Sequence, residues 1–381
     1  MADKIKVLFV TTEFYQAGAQ RFVYEVDKAI DKNKFDVSIL SLIPLNNSKI
    51  WNDYYYEKHI ALGTKIYFLD DIKTSHIPTI KQRIKRKLLG GTLHTPQTNI
   101  RDFVQNFVAV SFWGEYCFPE LNNILTAEQK KKCLIHIMSS KYQDENLYRR
   151  FDKTKHYHFV SGFGDEEIQF ELSEFKEYRH TFFPLSLNID NKINQWQFSD
   201  EPNKRIGIFT RLSSHKPLDP FIYSFHLLLN KFPSSELYIY GSGDPVHEGV
   251  YAFVKHLRLE GKVKFMGHQD NIVKSALKDK LDIVWFHGYH GVPGGFAGFD
   301  ICTSGIPQIF WNFGTASQDE RSETFPMFYK LIDFVDRSCK ILANKNDAET
   351  LSKKQYNYIL ETRNISNYIK TLEMLYVGLK N

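Results

Sequence analysis

Two cationic side chains follow one apolar segment of the chain and are separated by five positions. Arg211 and Lys216 lie just after residues 206–210, a run with the composition of a buried strand, on a loop that opens a predicted helix. A helix N-terminus favours anions, the arginine guanidinium offers a planar fork of donors, and lysine offers a compact charge. The pair therefore predicts a diphosphate site, the alternative being a basic loop that faces solvent.

Two glycines end the next predicted strand, residues 236–240. Gly241 and Gly243 flank a serine directly after it. Glycines in this position allow the backbone to approach a ligand closely, although a simple tight turn has the same composition. Substrate contact at Gly241 and Gly243 is therefore one interpretation, and a plain turn is the other.

A third segment combines glycine-rich backbone with one carboxylate. Gly294, Gly295 and Phe296 precede a short predicted helix near residues 300–304, which carries Asp300. Backbone amides in such a loop can hold phosphate or sugar hydroxyl groups, and a carboxylate can accept hydrogen bonds from a ribose diol. The alternatives are a flexible loop and a helix N-cap role for Asp300.

The N-terminal half offers fewer chemical candidates. Gly18 follows the first predicted strand, and His136 lies near the end of a buried-strand pattern at residues 133–138. A histidine at a strand end can contact a substrate or serve only as a structural residue. Both residues are candidates for substrate contact, and the structural alternative stays open for His136.

Two successive sets of alternating strands and helices must position these candidates. That order is typical of parallel α/β sheets, whose ligands bind at the carboxyl ends of the strands. A polar stretch at residues 190–203 separates the sets, which predicts domains at residues 1–190 and 191–365. The predicted strands are residues 5–10, 35–42, 65–69, 107–112, 133–138 and 158–160 in the first set, and 206–210, 236–240, 263–266, 281–285 and 308–311 in the second.

The charge and the cysteines narrow the class of protein. A net charge of +5 over 381 residues is too small for a dedicated nucleic-acid-binding protein. The four cysteines form no CxxC pair and no metal-ligand spacing, so we expect reduced thiols and a cytoplasmic location. The first residues run directly into a strand, and no apolar run approaches the roughly 20 residues that span a bilayer.

The most basic segment of the chain is residues 81–87. It holds five Lys and Arg side chains, and the apolar residues Ile80, Ile84 and Leu88 would share one face if it formed a helix. Such a segment could bind the anionic inner face of the cell membrane. The alternative is a solvated helix edge or a loop.

Together these motifs resemble the retaining GT-B glycosyltransferases of family four, the glycosyl transferases group 1. The resemblance covers nearly the whole chain. In the first half, Ala17–Phe22 is similar to the family's GGAER segment, Ser161 to its "VS" strand end, and Phe183–Asp190 to its IPNGVD hinge. In the second half, Arg211 and Lys216 are in the positions of its GRL…K pair, Tyr240–Gly243 of its GxG turn and Phe265–Gly267 of its FLG strand. Asp282 is similar to the Asp before its "PS" loop, and Asp300–Pro307 to its EAMACGLP segment.

The resemblance implies an α/β GT-B fold, with two Rossmann-like, doubly wound parallel-sheet domains that face each other across a cleft. It also implies a terminal helix within residues 366–381 that crosses back to the first domain, as the aromatic-rich segment Tyr368–Leu379 is similar to the family's last helix. It implies transfer of a hexosyl or N-acetylhexosaminyl group from a nucleotide-sugar donor, a UDP-sugar being expected, with retention and without metal or other cofactor. Arg211 and Lys216 would stabilise the leaving diphosphate, and His136 would contact the donor sugar or the acceptor. The acceptor would be a glycan, glycolipid or glycoprotein of cell-surface polysaccharide biosynthesis.

One family motif is incomplete in this chain. The family has two glutamates eight positions apart; the second maps to Asp300, the first falls at Val292, and no acidic residue lies from Trp285 to Phe299. Gly294 and Gly295 could supply main-chain donors instead. The departure leaves a catalytically degenerate binding or chaperone subunit as one alternative. A GT-B sugar-nucleotide epimerase is another, although the additional cleft acids and histidines expected of it are not seen.

Overall fold

The chain forms two compact units in the computed structural model, which describes residues 3–45, 53–74, 95–138, 148–189, 195–213, 216–288, 295–312 and 323–380. One unit consists of Met1–Asn188 with Asn364–Asn381, and the other of Ile189–Arg363. Sequence reasoning places the corresponding boundaries at residues 190 and 365. Each unit has its own sheet and its own core.

The described part of the first unit contains a parallel sheet of seven strands. They are β1 (Ile5–Thr11), β2 (Phe35–Ser41), β3 (Lys65–Phe68), β4 (Ala109–Trp113), β5 (Cys133–His136), β6 (His156–Ser161) and β7 (Glu177–Phe182). Their order is β3-β2-β1-β4-β5-β6-β7. The central strand β1 is buried without interruption from Val7 to Thr11, as expected for a parallel strand covered on both faces.

Helices connect these strands. In the described residues they are α1 (Gly18–Ala29), α2 (Tyr54–Ala61), α3 (Leu69–Thr74), α4 (Pro96–Gln105), α5 (Phe118–Asn122), α6 (Ala127–Lys130) and α7 (Asp165–Glu171). The first helix shows why they pack on the sheet: α1 is amphipathic and buries Phe22, Val23 and Val26, which recur at helical spacing.

The described part of the second unit contains a parallel sheet of six strands. They are β8 (Arg205–Phe209), β9 (Glu236–Tyr240), β10 (Val263–Gly267), β11 (Ile283–Gly288), β12 (Gln308–Asn312) and β13 (Met327–Phe328), in the order β10-β9-β8-β11-β12-β13. Its helices are α8 (Asp219–Leu228), α9 (Val250–His256), α10 (Ile272–Lys278), α11 (Gly295–Ser304), α12 (Leu331–Ala343) and α13 (Lys345–Thr362). The two sheets confirm the predicted doubly wound α/β class.

The last helix, α14 (Ile369–Gly378), belongs to the first unit and follows a 3-10 turn at Ile365–Asn367. The hydroxyls of Tyr376 and Ser111 on β4 lie 2.8 Å apart, and the Tyr376 ring contacts Phe9 and Phe35. The Glu373 carboxylate accepts a hydrogen bond from the backbone N–H of Asp31. The terminal segment is therefore part of the first core.

The strand order fixes where each sheet can bind a ligand. In both sheets the direction of winding reverses at the first strand, because β1 lies between β2 and β4 and β8 lies between β9 and β11. Loops that leave the carboxyl ends on either side of such a reversal diverge, and the crevice between them is the usual ligand site of an open α/β sheet.

Some local predictions differ from the structure. The helix expected near residues 300–304 begins at Gly295, and the edge strands β7 and β13 were not predicted. Strand β7 was missed because none of its residues is fully buried, and β13 because it is two residues long. Among the described residues, no helix is both long and apolar enough to cross a membrane.

Candidate functional site

The turn after β9 packs directly on the loop after β8. The backbone N–H of Leu212 donates to the carbonyl of Ser242, and that of Thr210 donates to the carbonyl of Tyr240, both at 2.9 Å. A Cβ atom on Gly241 would lie 1.6 Å from the carbonyl oxygen of Thr210. Only glycine permits this approach, so the turn holds the loop that carries the two predicted cations.

Gly243 has the same role one step further along the turn. Its φ is +121°, a conformation that side chains other than glycine rarely adopt, and a Cβ there would lie 2.7 Å from both Cβ and O of Leu212. The glycine pair is thus required by contact between two loops of the protein. Sequence reasoning offered close approach to a ligand or a plain turn, and the structure shows close approach of backbone to backbone.

Arg211 and Lys216 both follow β8, but their side chains differ in exposure to solvent. Arg211 is exposed, whereas Lys216 is half-buried and its backbone N–H donates to the carbonyl of Ser213. Burial lowers the pKa of Lys216, and the positive charge of Arg211 lowers it further. The two cations are therefore close enough to repel each other, and an anion bound between them would relieve that repulsion.

His287 is a residue of this edge that sequence reasoning missed. It is the next-to-last residue of β11, it is buried, and its Nε2 lies 3.1 Å from the carbonyl oxygen of Pro217. Its ring also meets the edge of Phe221 at 4.9 Å. A histidine at the end of an apolar run such as residues 283–286 is expected to be a core residue. The sequence therefore contained no signal for its contact with the loop that carries Arg211 and Lys216.

Helix α11 carries the other candidates of the second unit. Gly295 and Phe296 form its first turn, Phe296 being buried, while Gly294 lies outside the described residues. Asp300 is half-buried and five residues into the helix, about 7.5 Å along its axis at about 1.5 Å per residue. The N-cap interpretation of Asp300 is therefore wrong, because an N-cap precedes the first turn.

The first unit places Gly18 and His136 on the carboxyl edge of its own sheet. Gly18 is the exposed first residue of α1, and His136 is the buried last residue of β5. The His136 ring stacks on Trp113 with centroids 3.7 Å apart, and its Nε2 has no hydrogen-bond partner among the described residues. Burial lowers the pKa of His136 to about 3, and His158 contributes to the fall, so the imidazole is neutral at pH 7.

Acidic side chains lie near the strand reversal of the first sheet and were also missed. Glu13 follows β1 and accepts a hydrogen bond from Gln20 at 2.7 Å. Glu115 follows β4, is fully buried, and accepts from the backbone N–H of Met138 at 2.8 Å. Isolated acids in loops carry no recognisable spacing, and only the strand order brings these two loops together.

Solved structures provide the comparison, because no family model and no curated protein sequence matches the chain. HepE of Anabaena in complex with UDP and glucose aligns with a TM-score of 0.67 and 12% identity, over 98% of this chain and 100% of that chain. Sucrose-phosphate synthase of Thermosynechococcus elongatus gives a TM-score of 0.69 and 13% identity, over 99% of both chains. The pneumococcal O-GlcNAc transferase GtfA in complex with UDP and GlcNAc gives 0.63 and 10%, also over 99% of both.

The chain has the GT-B fold. The alignment spans nearly the full length of each of these chains, so both Rossmann-like units of the fold are present. At such low identity the likeness establishes the architecture alone.

Within the second GT-B unit, the structure brings Arg211, Lys216, Gly241 and Gly243 together beside the strand reversal at β8. Asp300 lies on the helix that follows the next strand, β11. In the described portion of the chain, no group of three or more His, Cys, Asp or Glu side chains is arranged to hold a metal ion. At this edge the described residues present the side chains of Arg211 and Lys216 beside closely packed backbone.

Proposed function

We propose that the protein is a glycosyltransferase that takes a hexosyl or N-acetylhexosaminyl group from a nucleotide-sugar donor. The observation that carries this proposal is the pairing of Arg211 and Lys216 beside the strand reversal of a GT-B fold. A diphosphate is the ligand that such a pair fits best, because it presents several anionic oxygens to a planar donor fork and a compact ammonium group. UDP is the first nucleotide to test, since HepE and GtfA were solved with it.

The leaving group would be stabilised by side chains that are already in place. As the bond between the sugar and the diphosphate breaks, negative charge grows on the diphosphate, where Arg211 and Lys216 would interact with it more strongly than in the ground state. We propose that the reaction retains the anomeric configuration and needs no metal or other cofactor. A phosphate oxygen of the donor would take the proton of the acceptor hydroxyl.

The acceptor would bind at the carboxyl edge of the first sheet, near Gly18 and His136. A neutral His136 can accept or donate one hydrogen bond at its free Nε2, which suits a sugar hydroxyl and does not suit a role as a charged acid. We propose a glycan, glycolipid or glycoprotein as the acceptor, in the biosynthesis of a cell-surface polysaccharide. The reaction would take place in the cytoplasm.

A binding subunit without transferase activity is the second candidate. One observation favours it: the stretch from Trp285 to Phe299, where related enzymes have an acid, contains none. Such a subunit would keep the nucleotide site, so both candidates would bind the nucleotide, and only the transferase would consume the nucleotide-sugar donor.

Two measurements on the full chain test the proposal. Thermal unfolding is followed with UDP, GDP, ADP and CMP, where a ligand at 100 times its dissociation constant should add about 2.7 kcal/mol of stability. Release of free UDP from UDP-glucose and UDP-GlcNAc is then measured with and without EDTA. Slow release that survives EDTA supports a metal-independent transferase, binding without release supports the subunit, and release restored only by manganese or magnesium would contradict the metal-independent mechanism.

A further inference from the structure

The loop between β8 and α8 is fixed at two points to two different neighbours. At its start, the backbone N–H of Leu212 donates to the carbonyl of Ser242 in the turn after β9. At its end, the carbonyl of Pro217 lies 3.1 Å from Nε2 of His287 on β11. Pro217 directly follows Lys216, so the second contact lies next to the cation.

The chemistry of the second contact defines the state of His287. A carbonyl oxygen can only accept, so Nε2 carries the hydrogen and the ring donates. Burial lowers the pKa of His287 to about 4, the hydrogen bond to Pro217 opposes this fall, and the charge of Lys216 adds to it. A neutral ring adds no further positive charge beside the two cations.

The position of His287 on a buried strand makes it a rigid anchor. Strand β11 pairs with both β8 and β12, and all of its residues are buried. The His287 ring is held against Phe221, at the start of α8. An anchor of this kind fixes the backbone that carries a half-buried lysine, which a solvated loop would leave free to move.

We propose that His287 is a positioning residue, which holds Lys216 in register with Arg211 for a nucleoside diphosphate by donating to the carbonyl of Pro217. The inference rests on the proposed nucleotide site of the second unit. It predicts that loss of the donor weakens binding of the diphosphate and leaves binding of the nucleoside intact. A purely structural role would weaken both.

The test compares UDP and uridine by isothermal titration calorimetry on the full chain. His287→Phe removes the donor and keeps an aromatic ring, and His287→Asn keeps an amide that is too short to reach the carbonyl. Each variant should lose at least about tenfold in affinity for UDP, the loss expected when one contact to a charged group is misplaced, with uridine affinity unchanged. His287→Gln, whose amide can replace the Nε2 donor, should bind UDP nearly as the wild type does.

The matched control is His256→Gln. His256 is exposed at the end of α9, a helix that returns to the edge where the strands begin. This variant should bind both ligands as the wild type does. If His287→Phe fails to fold, as judged by circular dichroism, His287→Asn decides the question. If the folded variants bind UDP as the wild type does, or if they lose affinity for UDP and for uridine equally, the role of His287 is overturned and the proposed function is not. If the wild type binds no nucleoside diphosphate, the proposed function is overturned, and the inference with it.

Discussion

Lys216 and Arg211 are the residues on which the diphosphate site depends. We expect Arg211→Ala and Lys216→Ala each to weaken UDP binding by about 1.5–3 kcal/mol, the usual cost of losing a hydrogen bond to a charged group. Uridine affinity should change little, because neither cation is expected to contact the base or the ribose. Calorimetric titration of both ligands measures the difference.

The control for these substitutions is Lys255→Ala, which removes an exposed lysine from the last turn of α9. It lowers the net charge by the same amount at the opposite edge of the sheet. If this variant loses as much UDP affinity as Lys216→Ala, the effect is one of overall charge, and the assignment of the pair is wrong.

Asp300 is the residue whose role is least constrained by its position. A carboxylate can accept two hydrogen bonds from a ribose 2′,3′-diol, and from the second turn of α11 the short side chain would need a close ribose or a bridging water. We expect Asp300→Asn and Asp300→Ala to lower affinity for UDP, the alanine variant more. Wild type should also bind 2′-deoxy-UDP more weakly than UDP.

The comparison of the two sugars makes the Asp300 test selective. If Asp300 contacts the 2′-hydroxyl, Asp300→Ala should lose affinity for UDP and much less affinity for 2′-deoxy-UDP, which already lacks that contact. An equal loss for both ligands would argue against contact with the 2′-hydroxyl. If wild type does not discriminate between the two ligands and the alanine variant binds like wild type, Asp300 has only a structural role in α11.

At the scale of elements, the contact between the β8 loop and the β9 turn should couple stability to binding. A Cβ atom at Gly241 would overlap the carbonyl of Thr210, and its φ of +152° is strained for any other residue. We expect Gly241→Ala to lower the free energy of unfolding of the second unit by at least about 1–3 kcal/mol and to weaken UDP binding. Gly261→Ala, where a Cβ meets nothing within 4 Å, is the matched control and should change neither.

A buried charge cluster joins α1 and α2 in the first unit. Asp27 accepts hydrogen bonds from the Thr64 hydroxyl and from Nδ1 of His59, both at 2.7 Å, and pairs with the ammonium group of Lys32. Burial alone would raise the pKa of Asp27, but the hydrogen bond from His59 and the charge of Lys32 outweigh it, so the pKa is lowered.

The sign of the pH dependence follows from that lowered pKa. The ionised carboxylate is favoured in the folded state, so its contribution is complete above the unfolded value of about 4 and is lost as the pH falls through the folded pKa. We expect Asp27→Asn to lose about 3–5 kcal/mol at pH 7 and the gap from wild type to narrow at acidic pH. Melting temperatures of wild type and Asp27→Asn, measured from pH 7 down to acidic pH, test this pH dependence. Asp70 forms an exposed ion pair with Lys73, so an equal loss of stability in Asp70→Asn would argue against burial as the cause.

At the scale of the whole molecule, the sequence predicted the architecture because parallel strands have a strong pattern. The apolar runs at residues 7–10 and 206–209 are continuous and buried, since helices cover both faces of the sheet, and each lies in the first strand of its unit. Pairing depends on contacts distant in sequence, so the strand orders could not be predicted from these runs. The start of α11 was misjudged because glycines and aromatics at residues 295–299 hide the helical pattern.

The candidate site was predictable only where residue type alone carries the signal. Arg211 and Lys216 stand out as cations after an apolar strand. His287 and Glu115 do not, because their significance depends on which strand ends are neighbours. The contact of Gly241 with Thr210 likewise joins segments about thirty residues apart, which a reading of one segment at a time cannot show.

Attachment to a membrane would decide which acceptors the protein reaches, and the basic segment at residues 81–87 is the candidate for it. The segment lies outside the described residues, so the prediction rests on its five cations and on the apolar residues at 80, 84 and 88. Each cation near an anionic surface is worth about 1 kcal/mol and is screened by salt. We expect the full chain to sediment with vesicles that contain phosphatidylserine and to be released as the salt concentration rises.

A variant in which Lys81, Arg83, Lys85, Arg86 and Lys87 are all changed to Gln should lose this binding and keep its affinity for UDP. The matched control changes five exposed lysines of the second unit, Lys255, Lys274, Lys278, Lys345 and Lys353, and should sediment as the wild type does. Equal loss in both variants would mean that net charge, and not the segment, attracts the protein to the vesicles. No sedimentation of the wild type at low salt would leave residues 81–87 as a solvated basic segment without a role at the membrane.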